Sequence, residues 1–234
     1  ASVLNALDEV FAGALQGTAC GERPVAINSP ALRSVVAREC NAFGGSMASQ
    51  QYIIQIAGGG SSAVFNRVLV TTPRFVSPAS AGSFVGVAMT VAEINPEGGA
   101  LSGDSIVASP LVHASAFADG SLGATPELQQ GECFQMSIPT DRTRAADFIA
   151  VCAAWDVASR EWSRSSCDTL GSSLDQGTNH TLCCCNSVSH YAVLLLPVCP
   201  TYPSSAQWCV SIPPPPVACP ANCSSAGRCD ATNG

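Results

Sequence analysis

The sequence predicts a mainly β protein, an antiparallel β-sandwich with a short helical region at the N-terminus and a disulfide-rich tail at the C-terminus. Beyond residue 44, short β-favouring segments alternate with clusters of Gly, Ser, Pro and Asn, which is typical of such a sandwich. Apolar residues make up 47% of the 234 residues and charged residues 12%, so the chain can bury enough apolar surface to fold. Thirteen cysteines indicate that disulfides help to hold it together.

A helical region is expected over residues 1–43. Residues 2–16 place apolar side chains close to one face at helical spacing, namely Val3, Leu4, Leu7, Val10, Phe11 and Leu15. Cys20 and Cys40 bracket a second stretch, in which we expect residues 30–38 to add another helical turn or two.

Residues 44–197 are expected to form the sandwich. The predicted strands lie at 51–57, 64–71, 84–91, 105–117 and 133–138. After them the composition changes to Pro, Ser and Cys. Residues 198–218 are therefore predicted to be a linker, in which the run from Pro213 to Pro216 is extended polyproline II.

The charged residues exclude two classes of partner. All ten basic residues are Arg, they form no run, and the net charge is −7, so neither nucleic acid nor an anionic membrane surface has a basic patch to bind. The longest late apolar run, residues 191–198, is too short to cross a bilayer. We expect no nucleic-acid partner and no membrane insertion by this segment.

The cysteines favour an oxidising, extracellular compartment over a metal site. The chain has only three His and no repeated CxxC pair, and adjacent cysteines at 183–185 would point to opposite faces of a strand. We therefore expect no metal and no cofactor. Glycosylation sequons at Asn179 and Asn222 fit the secretory pathway.

Residues 152–195 resemble the GPCR proteolysis site (GPS) motif inside a GAIN domain, the autoproteolytic module of adhesion receptors and polycystin-1-like proteins. The resemblance is carried by four cysteines, two tryptophans, a threonine before a Cys-x-Cys-Asn sequence and a closing aromatic-Ala-Val-Leu strand, namely Cys152, Trp155, Trp162, Cys167, Thr181, Cys183, Cys185, Asn186 and 191–194. Two upstream segments, 109–112 and 134–139, resemble the strands that precede the motif. A GAIN-like sandwich over 44–197 is what this resemblance implies.

The resemblance also implies disulfides. By the family pattern Cys152 pairs with Cys183 and Cys167 with Cys185, and Trp155 and Trp162 are expected to pack over these bridges. Sequence alone does not fix the remaining pairs.

The remaining cysteine pairs are expected from strand alternation, loop closure and a second resemblance. If Cys183 and Cys185 face one way, Cys184 faces the other, and Cys133 is its best candidate partner. Cys20–Cys40 and Cys199–Cys209 would close local loops. Residues 219–234 resemble the start of an EGF-like repeat, which implies Cys219–Cys229 and leaves Cys223 for a later cysteine.

The residues for self-cleavage are incomplete. In the family, a hydroxyl attacks the preceding carbonyl in a His-Leu-Thr/Ser tripeptide, and the His removes the hydroxyl proton. The matching positions are Ser187, Val188 and Ser189, so the nucleophile candidate remains and the base is replaced by serine. His190 should point away from Ser189 because it is adjacent in a strand, and His180 would reach only if its loop folds back. We expect no cleavage and no enzymatic activity.

These observations predict an extracellular structural or adhesive module of a larger cell-surface or filament glycoprotein. The precursor is expected to carry its signal and anchor elsewhere, and the Lys-free, Pro-containing composition resembles surface glycoproteins of green algae. Its partners would be other extracellular proteins, or copies of itself in a filament. The alternative is an autoproteolytic GAIN domain of an adhesion-receptor or polycystin-like protein, cut between Val188 and Ser189.

Overall fold

The computed structural model describes most of the sandwich region and the N-terminal helix. The described residues are 3–20, 22–29, 32–40, 50–55, 67–76, 84–92, 106–118, 125–141, 148–175 and 177–198. The predicted linker and EGF-like segment from residue 199 onward, with Cys199–Cys209, Cys219–Cys229 and Asn222, lie outside them.

Within these residues the secondary structure is one helix and thirteen strands. They are α1 (Val3–Gln16), β1 (Val25–Asn28), β2 (Leu32–Cys40), β3 (Gln51–Gln55), β4 (Arg67–Thr71), β5 (Phe84–Ala92), β6 (Ile106–Val107), β7 (Leu111–Ala118), β8 (Phe134–Pro139), β9 (Phe148–Asp156), β10 (Glu161–Ser163), β11 (Cys167–Asp175), β12 (Thr178–Cys185) and β13 (His190–Pro197).

The described strands form two antiparallel sheets, which confirms the predicted fold class. The larger sheet has the order β1-β2-β5-β7-β13-β9-β10, and β6 also pairs with β13. The smaller sheet has the order β11-β12-β8-β4-β3. Their facing sides share one apolar core, to which the larger sheet contributes Val87, Met89 and Val193 and the smaller sheet Val70 and Phe134.

The expected helical region over residues 1–43 needs correction. Only α1 is helical among the described residues of that range, and β1 and β2 follow it. Residues 30–38, expected as helical turns, overlap β2, which pairs along its whole length with β5 and over four residues with β1. Two adjacent β-branched residues, Val35 and Val36, suit a strand with partners on both sides, and these partners outweigh weak local helix propensity.

The outer face of the larger sheet is buried under α1. Phe11 and Leu15 of the helix are fully buried and pack on Val36, Ala88 and Phe117. Strands β5 and β7 are consequently buried at almost every residue, whereas β3 alternates between exposed and buried residues. Val10, expected on the apolar face of the helix, is 56% exposed.

The helix approaches β5 closely because residue 86 is glycine. A Cβ at Gly86 would lie 2.3 Å from Cδ1 of Leu15, far inside van der Waals contact. At the end of the helix, Arg38 Nη1 donates to the Thr18 carbonyl at 2.5 Å, and the Arg38 guanidinium lies 3.4 Å over the Phe84 ring.

A buried carboxyl joins the two sheets near the end of β2. Glu39 of the larger sheet accepts hydrogen bonds from Tyr52 Oη in β3 of the smaller sheet and from Thr72 Oγ1, the residue after β4, each at 3.0 Å. Only 7% of Glu39 is exposed. Burial raises the pKa of this carboxyl to about 7, although the two hydrogen bonds act in the opposite direction.

Substitution Gly86→Ala should destabilise the docked helix. The added methyl group overlaps buried Leu15, and we expect a loss of about 1–3 kcal/mol in the free energy of unfolding. In the Leu15→Ala background the same change should cost much less, because the overlapping atom is gone. Gly13→Ala is the control, since its Cβ would meet nothing within 4 Å. Equal costs of Gly86→Ala in both backgrounds, measured by urea denaturation, would contradict this packing.

Glu39 should make the domain less stable as the pH rises. The folded-state pKa lies above the unfolded value, so the unfolded chain loses its proton first and stability falls between about pH 4.5 and 7. A pKa difference of this size corresponds to a free energy on the order of 3 kcal/mol. Glu39→Gln should therefore be more stable than the parent at pH 8 and nearly equal to it at pH 4.5. The exposed Glu161→Gln serves as control, and identical pH profiles of parent and Glu39→Gln would refute the assignment.

Candidate functional site

The residues that resemble the cleavage site lie in the connection between the two sheets. Residues 187–189 form the bend between β12 of the smaller sheet and β13 of the larger sheet. All three are half-buried. Strand β13 then runs between β7 and β9, so the bend leads directly into the interior of the larger sheet.

Three disulfides hold β12 immediately before this bend. Cys183 and Cys185 are buried in the core, whereas Cys184 is half-buried, as alternation along a strand requires. The bonds are Cys152–Cys183, Cys167–Cys185 and Cys133–Cys184, the same pairs as those named from the sequence. Cys20 is also disulfide-bonded, while the side chain of Cys40, its expected partner, lies outside the described residues.

The bond between Cys152 and Cys183 joins the two sheets. Its Cα atoms are 5.7 Å apart, roughly half of the ~10 Å that separates packed sheets elsewhere in proteins. Beside it, the backbone N–H of Cys152 donates to Thr169 Oγ1 of β11 at 2.8 Å. The sandwich is thus narrow at the corner from which the bend departs.

The two tryptophans do not pack as expected. Trp155 and Trp162 face each other across β9 and β10 with ring centroids 5.4 Å apart. Trp162 packs against a cluster that includes Ala153 and Leu194, whereas the Cys152–Cys183 bond lies in the core between the sheets. Ala153 is adjacent to Cys152 in β9 and therefore faces the other way, so the indoles cover the outer face of the sheet and not the bridges.

Ser189 is bound through its hydroxyl and its main chain. Ser189 Oγ donates a hydrogen bond to the Trp155 carbonyl at 3.0 Å, and the Ser189 carbonyl accepts one from the Ala114 N–H at 3.0 Å. A carbonyl oxygen cannot remove the hydroxyl proton at neutral pH, so this contact fixes the serine without activating it.

Both nearby histidines make contacts elsewhere. The His190 ring stacks on the His113 ring with centroids 4.5 Å apart. His180 Nδ1 lies 3.1 Å from Ser137 Oγ in β8. Burial lowers the pKa of His180, although the charge of Asp175 acts in the opposite direction.

A polar cluster under α1 was not predicted from the sequence. Asp8 Oδ1 accepts a hydrogen bond from Ser115 Oγ at 2.6 Å and lies 3.1 Å from His113 Nε2. Ser115 Oγ is also 2.7 Å from His113 Nε2. The sequence contains a pattern that indicates part of this cluster, because His113 and Ser115 alternate with apolar residues along β7 and so share a face.

This cluster secures the helix by charge as well as by packing. Burial tends to raise the pKa of Asp8, but the hydrogen bonds with His113 and Ser115 and the charge of His113 and His190 hold it below its ordinary value. The contact therefore contributes stability at neutral pH, which is lost as the pH falls through the lowered pKa.

No metal-ligand set occurs in the part of the chain that the structure describes, since no three His, Cys, Asp or Glu side chains are grouped to hold an ion. The described helix is not long and apolar enough to cross a membrane. Of the two sequons, Asn179 lies in β12 and is exposed.

Comparison with known proteins agrees with this geometry. Residues 93–198 match the family model GPS: GAIN subdomain B. No curated protein matches the chain. The matched range contains the three disulfides, both tryptophans and the bend at 187–189, and so it supports a GAIN/GPS domain in this part of the chain, of the kind found in extracellular receptor-type modules.

Proposed function

We propose that the chain is an extracellular structural or adhesive module of a larger surface glycoprotein, and that its GPS bend is not cleaved. The observation that carries the proposal is the hydrogen bond from Ser189 Oγ to the Trp155 carbonyl at a site where the base position holds Ser187.

Self-cleavage needs a proton acceptor within hydrogen-bond reach of the nucleophile. The Ser187 hydroxyl does not accept a proton near neutral pH. His190 is stacked on His113, and His180 is bonded to Ser137 in another strand. Without a base, the Ser189 hydroxyl is a weak nucleophile and the bond after Val188 persists.

An uncut bend suits a structural role, because it keeps β12 and β13 in one covalent chain. Nearby, the Cys152–Cys183 bond provides a second covalent link between the sheets. A pulling force on the chain after β13 would be borne by covalent bonds instead of by sheet hydrogen bonds alone. The partners we propose are other extracellular proteins or further copies of this chain.

The alternative is an autoproteolytic GAIN domain of an adhesion-receptor or polycystin-like protein. It is favoured by Ser189, which keeps a hydroxyl at the nucleophile position, and by β13, which is buried along almost its whole length. After cleavage between Val188 and Ser189, such a strand would remain bound in the sheet.

The secreted chain should remain intact. Mass spectrometry of the reduced protein is expected to give one species of full mass, because no base serves Ser189. The double substitution Ser187→His and Val188→Leu installs the family tripeptide, and a fraction of that variant should cleave. Adding Ser189→Ala should abolish this cleavage and serves as the control.

A second fragment beginning at Ser189 in the unmodified protein would overturn the proposal in favour of autoproteolysis.

The structural role itself could be that of a filament subunit or of a monomeric ectodomain module. Negative-stain images of the native protein distinguish these two roles, since filaments support self-association and isolated particles support a monomeric module.

A further inference from the structure

We infer that Asn179 carries an N-linked glycan whose first N-acetylglucosamine packs over the exposed side chain of Leu174. The inference rests on the extracellular setting of the proposed function. It goes beyond the sequon, because it assigns the sugar a contact and a stabilising role in the β11–β12 hairpin.

Leu174 and Asn179 are direct neighbours across this hairpin. They are paired residues in the antiparallel register of β11 and β12. Residues directly opposite each other in such a pair project to the same face, with Cβ atoms roughly 4.5–5.5 Å apart. The first sugar attached to the Asn179 amide therefore lies beside the Leu174 side chain.

The described residues leave the Leu174 side chain largely uncovered. Its side chain is 71% exposed, and among the described large apolar residues only Val157, at 72%, is more exposed. The other residues of β11 from Gly171 onward are small or polar, so Leu174 is the exposed large apolar side chain among the described residues at this end of the strand. The hydrophobic effect favours any apolar surface that covers it, and the C–H face of a pyranose ring is such a surface.

The Asn179 side chain is accessible while its main chain is fixed. The residue is exposed, and its carbonyl accepts a hydrogen bond from the Thr140 N–H at 2.8 Å. A glycan on this asparagine is thus held on a rigid strand, which limits the entropy lost when its first sugar packs.

The attachment must precede folding of β12. Thr181, the third residue of the sequon, is fully buried, and its Oγ1 lies 2.8 Å from Thr140 Oγ1. In the unfolded segment, the Asn179 amide nitrogen attacks C1 of the first sugar of an oligosaccharide linked to a lipid pyrophosphate. The C–N bond forms, the C1–O bond to pyrophosphate breaks, the nitrogen loses one proton, and the lipid pyrophosphate leaves.

The test uses the whole chain secreted from an N-glycosylating host, with Asn222→Gln removing the other sequon. Intact mass should show one glycan, which Asn179→Gln eliminates. Trimming with an endoglycosidase that leaves one N-acetylglucosamine should leave Tm unchanged. Complete removal should lower Tm by about 2–4 °C. Because complete removal by a glycosidase leaves aspartate, Asn179→Asp is the matched control and should have the same lowered Tm.

Leu174→Ser separates the contact from other effects of the glycan. In that background, complete removal should no longer lower Tm, because the sugar has lost its apolar partner. An equal fall in Tm in both backgrounds would overturn the contact. A secreted, disulfide-bonded protein without sugar at Asn179 would overturn the inference while leaving the proposed function intact, and failure of secretion would contradict both.

Discussion

Three consecutive cysteines in β12 form disulfides on both faces of the strand. Cys183 and Cys185 face the core, where they reach β9 and β11, and Cys184 faces the other side, where it reaches Cys133 beside β8. Each bridge contributes roughly 2–4 kcal/mol, mainly by restricting the unfolded chain. Because β12 is fixed on both faces, the bend that follows leaves it at a defined place, and β13 enters the larger sheet in one register.

The disulfides fix the strand before the bend, and hydrogen bonds of the bend itself fix the residues within it. Ser189 occupies its position because its hydroxyl and carbonyl are bonded to Trp155 and Ala114 in the neighbouring strands β9 and β7. A histidine at position 187 contributes to neither bond. The contacts that hold Ser189 are therefore compatible with serine at position 187, where the family pattern has histidine.

Alternation and turn sequences were sufficient to predict the sandwich and to make Cys133 the candidate partner of Cys184, because both depend on local rules. The pairs Cys152–Cys183 and Cys167–Cys185 were predicted from the resemblance to the GPS motif. What the sequence did not predict depends on neighbours. Residues 32–40 form a strand because β5 and β1 flank them. The tryptophan position was an exception, because the odd separation of Trp155 from Cys152 within one strand already places them on opposite faces. Alternation along β7 places His113 and Ser115 on one face, but it does not show that Asp8, far away in the chain, packs against them.

The packing of β13 determines whether this strand would stay bound in the sheet after a cut at the bend. Its core-facing side chains, Tyr191, Val193 and Leu195, are almost fully buried, and Leu194 and Leu196 are covered on the other face. Each buried aliphatic side chain contributes about 1.5–3 kcal/mol, so the strand would stay bound even if the chain were cut at residue 188. An intact bond therefore adds little to equilibrium stability. In the uncut bend that we propose, this bond would act mainly in resistance to force, because a covalent link holds under a load that can pull a strand out of a sheet, and this would suit a structural role.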